Sequence, residues 1–357
     1  MDVAIIGAAG SCGRQLAAQL LERAVLPASS RLQLVGHRGG RGEHEFWGLR
    51  ADLEDAFEDS APSIELVLDP SDIDASLVVM LAGATIPNDP GAPTDRAALG
   101  RTNHRIFADY ADALASRTGA APTVIVQSNP VEVGVRVFAE RLGRHRVLGA
   151  GAWSDTLRLR AEVAADLGVR RPQVHVPVLG QHGDGLVPIW SQLRVQGLEE
   201  NRVADFRKAM HAGRDLAVLP TEVRRERERM VASVRDGQVD AAYEHIRSLS
   251  PELRVAVKPF FTHFTSGHTT EMVTARAVAD IVAALAAGEE RLLPLQVALE
   301  GEWLGIEGVI GAPVLLGPNG WTQVVPIEML DEEATAVRAA AEAVAAAAAP
   351  LVPDHDA

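Results

Sequence analysis

Cysteine is nearly missing: Cys12 is the only one in 357 residues. A single thiol excludes an intrachain disulfide framework and any cysteine-built metal cage. Basic residues are in deficit, 34 Lys and Arg against 48 Asp and Glu, for a net charge of −14 and a pI near 5.3. That balance argues against nucleic acid or an anionic membrane surface as a main partner. No apolar stretch reaches membrane-spanning length; the alanine-rich segment 339–349 is too short and carries Glu342. No basic leader region precedes the strand-like run that begins at Val3, so no signal peptide is expected. Internal repeats and Ser/Gly linkers are missing too. What remains is the expectation of a soluble cytoplasmic protein. Its 47% apolar residues easily supply a core, and its length suits two domains or one large α/β unit.

The richest stretch is 174–190, VHVPVLGQHGDGLVPIW. Alternating valines break at Gly180, and Gly183 and Gly185 turn the chain again around His182. Glycines on both sides of a polar His-Asp pair suggest a strand end bent sharply to aim one imidazole. Histidine is the side chain best suited to move a proton near neutral pH. Taken alone, the same pattern also describes a surface hairpin.

The first half alternates strand and helix. A continuous apolar run at 3–6, as in a strand buried on both faces, leads straight into Gly7-Ala8-Ala9-Gly10-Ser11-Cys12-Gly13 and then a helical pattern. A glycine loop between strand and helix lets the backbone approach a pyrophosphate, which the helix N-terminus stabilises; a plain tight turn is the alternative. The second strand should be 31–35. Its end usually places an Asp or Glu on the adenine ribose, but the chain reads Gly36-His37-Arg38-Gly39-Gly40-Arg41. The glycine would leave room there, and Arg38 or Arg41 could pair with a 2′-phosphate, which tilts the expectation from NAD towards NADP. Further strands are expected at 64–68, 77–81 (running into Ala82-Gly83) and 123–127, the last ending in Ser128-Asn129-Pro130. A proline-rich loop over 85–94 has the character of a lid, and Arg96 opens the helix after it.

In the second half, Asp155 and Arg158 are three apart and share a helix face, as they would in a plain surface salt bridge. Segment 201–235 is rich in Arg and Glu, with 224–229 wholly charged, and reads as a solvated helix face. Strands near 293–300, 309–316 and 323–326 look like a separate antiparallel sheet, and Asp331 caps a last alanine-rich helix. The pattern predicts an α/β protein: a Rossmann-type doubly wound parallel sheet over 1–150, then an α+β substrate-binding and catalytic domain over 151–350. Imidazole, carboxylate and guanidinium are the groups that hydride transfer on a 2-hydroxy carboxylate requires.

With these motifs the chain resembles the lactate/malate dehydrogenase family over nearly its whole length. Gly7 to Gly13 is similar to the family's phosphate loop, and Ser128-Asn129-Pro130-Val131 to its Asn-Pro strand end. GAGAWSDTLR, ending at Arg158, resembles the segment with the Asp and the substrate-binding Arg, and LGQHGD resembles the catalytic histidine loop. The glycine-rich pattern of 301–320 also fits. The resemblance implies that His182 is the general acid/base, Asp155 its orienting carboxylate and Arg158 the grip on the substrate carboxylate. Arg96, seven residues before Asn103, becomes the lid arginine that polarises the substrate carbonyl. Asn129 would contact substrate or nicotinamide, and Thr270 would lie beside the substrate. Gly7, Gly10, Ser11, Cys12, Gly13, Gly36, His37, Arg38, Ala82, Gly83, Asn103 and Asn129 would line NAD or NADP, with no metal. A homodimer or homotetramer is implied, acting on a 2-oxo or 2-hydroxy acid.

Two departures bear on what binds. Malate enzymes of the family carry an extra lid arginine for the second carboxylate, whereas this lid reads Thr85-Ile86-Pro87-Asn88-Asp89-Pro90-Gly91-Ala92-Pro93-Thr94-Asp95-Arg96. Asn88 or Asp89 then sits where specificity is set. The other departure is the missing acid after the second strand. Two further readings compete with the dehydrogenase: a non-catalytic dinucleotide-binding regulator on the same fold, and an NAD-dependent glycoside hydrolase. The second would need metal-ligating Cys and His, a role Cys12 in the phosphate loop cannot fill.

Overall fold

Alternation along each short strand decides how the molecule is layered. In the computed structural model, which describes residues 1–39, 43–92, 96–211, 215–268 and 270–349, β1 (Val3–Ile6) is wholly buried. Val3 and Ile5 join one hydrophobic cluster and Ala4 and Ile6 another, because successive side chains leave opposite faces of a strand. Helix α1 (Ser11–Glu22), strand β2 (Arg31–Val35), helix α2 (Glu43–Phe57) and strands β3 (Ser63–Val67) and β4 (Leu77–Met80) follow. Then come α3 (Arg96–Ala115), β5 (Thr123–Val126), α4 (Val131–Leu142) and β6 (Val147–Gly149). These six strands pair in parallel in the order β3-β2-β1-β4-β5-β6. One face is covered by α1 and α2 through Leu16, Leu20, Phe46 and Leu49, the other by α3 and α4 through Phe107, Tyr110 and Phe138. Each such side chain, fully buried, contributes about 1.5–3 kcal/mol.

The order reverses at β1, between β2 and β4. In open parallel sheets the ligand crevice lies beyond the strand ends at such a switch point. The glycine loop after β1 and the loop after β4 meet there: a Cβ on Gly7, whose φ is +83°, would stand 2.8 Å from the Ala82 nitrogen.

The second half begins with α5 (Gly151–Leu167) and the short strands β7 (Val174–His175), β8 (Val178–Gly180), β9 (Leu186–Pro188) and β10 (Arg194–Val195). Helices α6 (Glu200–His211), α7 (Leu219–Arg235), α8 (Val239–Ser248), α9 (Pro251–Ser266) and α10 (Glu271–Ala287) come next. The chain finishes with β11 (Leu292–Glu300), β12 (Glu307–Gly317), β13 (Gly320–Val324) and α11 (Asp331–Ala348). The expected antiparallel strands form, but they are not a separate sheet. Gln296 of β11 pairs with Gly149 of β6, so β11, β12, β8 and β9 extend the parallel sheet; β13 pairs with β12, and only β7 and β10 pair apart. Gly149 permits this junction, since a Cβ there would meet Gln296 at 2.7 Å. Helix α10 lies on the outer side of α1, where Arg23 reaches Asp280 at 3.0 Å. Among the described residues no helix is long and apolar enough to cross a membrane.

The charged run in α7 also differs from expectation. Glu226 is buried and accepts from Arg225 at 2.9 Å while pairing with His245 at 2.8 Å. Arg227 turns inward onto Asp184 and lies over the Phe260 ring, 4.7 Å from its centroid. Charge content alone does not tell which side of a helix finds buried partners.

Candidate active site

His182 stands at the tip of the turn between β8 and β9. Gly180 and Gly183 have φ of +80° and +88°, a left-handed backbone that glycine adopts without strain. The turn is closed by the Gln181 N–H donating to Gly185 O at 3.1 Å and the Leu186 N–H to Gly183 O at 3.3 Å. The imidazole lies against the first turn of α5: a Cβ on Gly151 would sit 2.6 Å from the ring's Cγ. Gln296, fully buried in β11, steadies that turn by accepting the Ala152 N–H at 3.0 Å.

Asp155, one turn into α5, meets the histidine from below. Its Oδ2 is 2.7 Å from His182 Nδ1 and also accepts the Gly183 N–H at 3.1 Å. Its Oδ1 accepts from Arg158 at 2.8 Å. Burial pushes the Asp155 carboxyl up, but the imidazole, Arg158 and the Gly183 N–H together hold it below the usual aspartate value. Burial lowers the proton affinity of His182, yet the carboxylate beside it carries the balance to a raised value. Asp155 therefore fixes the tautomer with hydrogen on Nδ1 when the ring is neutral, and stabilises the ring when it is charged.

Arg158 also donates to Thr270 Oγ1 at 2.6 Å, at the N-terminus of α10, and its buried Nε has no partner among the described residues. The expected group of His182, Asp155, Arg158 and Thr270 is thus brought together from three elements. The lid rests on the end of α9: Asn88 donates to Gly267 O at 2.7 Å, and the Pro87 carbonyl accepts from His263 Nε2 at 3.1 Å. Asp89 turns back to accept the Gly91 N–H at 2.8 Å. Residues 93–95 and the Arg96 side chain lie outside the described residues, so the lid arginine is placed only as the first residue of α3.

On the switch-point side, Gly10 is the N-cap of α1 and, having no side chain, offers no side-chain cap of its own. That fits a pyrophosphate seated over Gly10, Ser11, Cys12 and Gly13. Gly13 has its own packing reason, because a Cβ would come within 2.6 Å of Ala8 Cα. Asn103 is buried and spends its side chain on backbone: Oδ1 accepts the Ala84 N–H at 2.6 Å, and Nδ2 donates to Ala84 O at 2.9 Å and Asn129 O at 2.6 Å. It clamps the Ala82-Gly83-Ala84 loop to the Asn129 turn. At the end of β2, His37 and Arg38 are exposed. Gly36 leaves room for the Phe46 ring, which a Cβ would strike, so the space expected for a ligand is occupied by packing. Arg41 lies outside the described residues. Glu43, at the start of α2, accepts the Gly39 N–H at 2.7 Å and supplies an acid near the loop that the strand end lacks.

Four residues of this region escape a linear reading: Glu132, whose Oε1 accepts the His182 N–H at 2.7 Å, and Gln296, Arg227 and His263. Each meets the site across a long separation in sequence. The only local signals are an acid in the first turn of α4 after the Asn-Pro turn and a glutamine in an otherwise apolar strand.

Comparison with known proteins places the whole chain. The family model for the lactate/malate dehydrogenase NAD-binding domain matches residues 1–149, and that for the lactate/malate dehydrogenase α/β C-terminal domain matches 154–248 and 265–350. An L-2-hydroxycarboxylate dehydrogenase (NAD(P)(+)) of Methanocaldococcus jannaschii is 27% identical over 349 residues, covering 96% of each chain. A malate dehydrogenase of Methanothermobacter thermautotrophicus is 31% identical over 348 residues, 96% of this chain and 94% of the relative. Among solved structures, the malate dehydrogenase of Plasmodium falciparum superposes with a TM-score of 0.75 at 19% identity, covering 98% of both chains.

Proposed function

This chain belongs to the lactate/malate dehydrogenase family, and from that membership we propose how its own residues divide the work. It is an oxidoreductase of the NAD(P)-dependent class that transfers a hydride at C2 of a 2-hydroxy or 2-oxo acid. The observation that carries the assignment of roles is the His182–Asp155 contact at 2.7 Å, with Arg158 on the other carboxylate oxygen at 2.8 Å.

In the reductive direction the proton held at His182 Nε2 moves to the carbonyl oxygen at C2, while Asp155 keeps Nδ1 bonded and balances the charge. Arg158 holds the substrate carboxylate; its Nε, which has no partner among the described residues, and the Nη2 now on Thr270 point to where that carboxylate is received. Arg96 polarises the carbonyl when the lid lies over the site, and Asn129 and Thr270 border the substrate. Asn88 faces the substrate's far end. The cofactor, when bound, supplies or takes the hydride. Gly7, Gly10, Ser11, Cys12 and Gly13 would hold its pyrophosphate. Ala82, Gly83, Asn103 and Asn129 would shape the nicotinamide side, and His37 and Arg38, just beyond the packed Gly36, the adenosine side. Arg38, exposed at the end of β2, supports NADP alongside NAD. The charges the reaction needs are all carried by imidazole, carboxylate and guanidinium, so the proposed mechanism uses no metal.

A nucleotide-binding unit over 1–150, a substrate unit over 151–350, a cytoplasmic setting and a symmetric homodimer or homotetramer complete the reading. Light scattering that finds only a 38.0 kDa species would refute the oligomer. The test of function follows reduced-nicotinamide absorbance with pyruvate, oxaloacetate and bulkier or more polar 2-oxo acids, each with NADH and with NADPH. Oxidation by at least one acid is expected. No turnover across the set, with cofactor binding retained, would sink the catalytic assignment.

A further inference from the structure

Glu132 is a buried acid that the chemistry above leaves unused. It is the second residue of α4 and only 5% exposed. Burying a carboxyl group is costly unless a donor meets it. The donor here is the backbone N–H of His182, at 2.7 Å from Oε1. Burial pushes the Glu132 carboxyl above the ordinary glutamate value, and the His182 N–H and the imidazole's charge offset only part of that rise. The histidine is consequently held twice, by carboxyls from two helices: Asp155 of α5 takes the ring and Glu132 of α4 takes the main chain. Helix α4 starts directly after Asn129-Pro130, so the same helix that anchors His182 also ends the strand bordering the nicotinamide side. On its far side Glu132 lines a cavity of about 490 Å³ between α4, α11 and the β11–β12 hairpin, so it is not sealed within packed core.

We propose that Glu132 is a positioning residue for His182, fixing the backbone of the proton-transfer residue over Asp155. In its ionised form the same carboxylate also favours the protonated ring. The charged groups acting on His182 are Asp155 and Arg158 from α5 and Glu132 from α4; two residues along its own loop, Asp184 pairs with Arg227 of α7. Those lining the cavity beside Glu132 are Arg136 with Glu140, Arg144 with Glu300, and Glu307. The inference rests on the reading of His182 as the proton-transfer residue.

The test compares Glu132→Gln and Glu132→Ala with the parent enzyme. It uses the pH profile of kcat/KM for 2-oxo acid reduction, together with an NMR titration of the His182 ring in cofactor-bound enzyme without substrate. Thermal melts and NADH binding serve as controls for folding. Glutamine keeps an acceptor for the His182 N–H and removes the charge. We expect it to fold and bind NADH normally while the ring titration and the falling limb of the reduction profile both move to lower pH by about 0.5–1 unit. Alanine removes the anchor as well, and kcat should fall by about 10- to 100-fold with KM for NADH held. An unmoved titration and limb in Glu132→Gln, or a kcat within about twofold in Glu132→Ala, would overturn the proposal. Should the parent enzyme turn over no 2-oxo acid at all, the catalytic reading fails, yet the ring titration still decides whether Glu132 governs His182.

Discussion

At the scale of single residues, the proposed proton transfer depends on one imidazole being restrained in both place and charge. Asp155 does both, through a 2.7 Å contact and a buried negative charge. Replacing His182 by Asn keeps a polar side chain of similar reach but removes the proton donor. Turnover should fall by about 10² or more while NADH binding, read by fluorescence, stays within twofold; unchanged turnover would refute the role. The pH dependence has a definite sign. His182 binds its proton more tightly than an ordinary histidine because of Asp155, net of burial. Reduction needs the charged ring, so it should hold up to a pH above the ordinary histidine value and decline beyond it. Oxidation needs the neutral ring and should rise across the same interval. Asp155→Asn takes away the cause, and both limbs should shift to lower pH. The same pair acts on stability in two windows. The raised histidine stabilises fully below the pKa of an unfolded histidine, and that contribution is lost as pH rises through the folded value. The lowered Asp155 stabilises above the unfolded carboxylate value, and its contribution is lost as pH falls through the folded one. The melting-temperature gap between the parent and Asp155→Asn should therefore close at acid pH and narrow, without closing, as pH rises through the folded histidine value, because Arg158 and the Gly183 N–H still hold the ionised Asp155; a constant gap from acid to base would contradict this account.

At the scale of elements, the lid is held by a helix the family model passes over: the match omits 249–264, which is most of α9. Helix α9 brings Phe260 against Arg227, which holds Asp184 two residues from His182, and it brings His263 and Gly267 under Pro87 and Asn88. Asn88→Ala removes one hydrogen bond worth about 1 kcal/mol, roughly a factor of five. KM for the 2-oxo acid should rise by about that factor with KM for NADH unaffected, and equal rises in both would show that the lid does not act on the substrate. The same comparison shows what a sequence can and cannot reveal. Glycine loops, buried strands and the Asp155–Arg158 spacing are local signals, and all led to elements and neighbours that form. The single extended sheet hinges on one pairing, Gln296 with Gly149, and nothing near either residue announces it. Glu132 and Arg227 were illegible for a related reason, because an acid or a guanidinium in a helix looks the same whether its partner is water or a catalytic loop. The glycine at 36 was legible as a glycine, but its reason, the Phe46 ring, lies in another element.

At the scale of the whole molecule, the glycine loop proposed for the cofactor and the His182 loop belong to one continuous sheet running from β3 to β9. Helix α10 of the second half is bound to α1 of the first through Arg23 and Asp280, with Gln19 donating to the Met272 carbonyl. Two halves joined by sheet hydrogen bonds and a helix pair should unfold as one unit. Four of the five tryptophans, Trp153, Trp190, Trp303 and Trp321, lie in the second half, far along the chain from the phosphate loop. Their fluorescence therefore reports on the half that holds few of the cofactor's expected contacts. If unfolding is concerted, NADH or NADPH at about 100 times its Kd should stabilise the tryptophan-detected transition by about 2.7 kcal/mol, as much as it stabilises the half that binds it. Isothermal denaturant melts with and without cofactor measure this directly. A tryptophan transition that ignores the cofactor, while a probe on α1 responds, would mean that the Gln296–Gly149 junction does not couple the halves. His182 would then be positioned without regard to whether the nicotinamide has arrived.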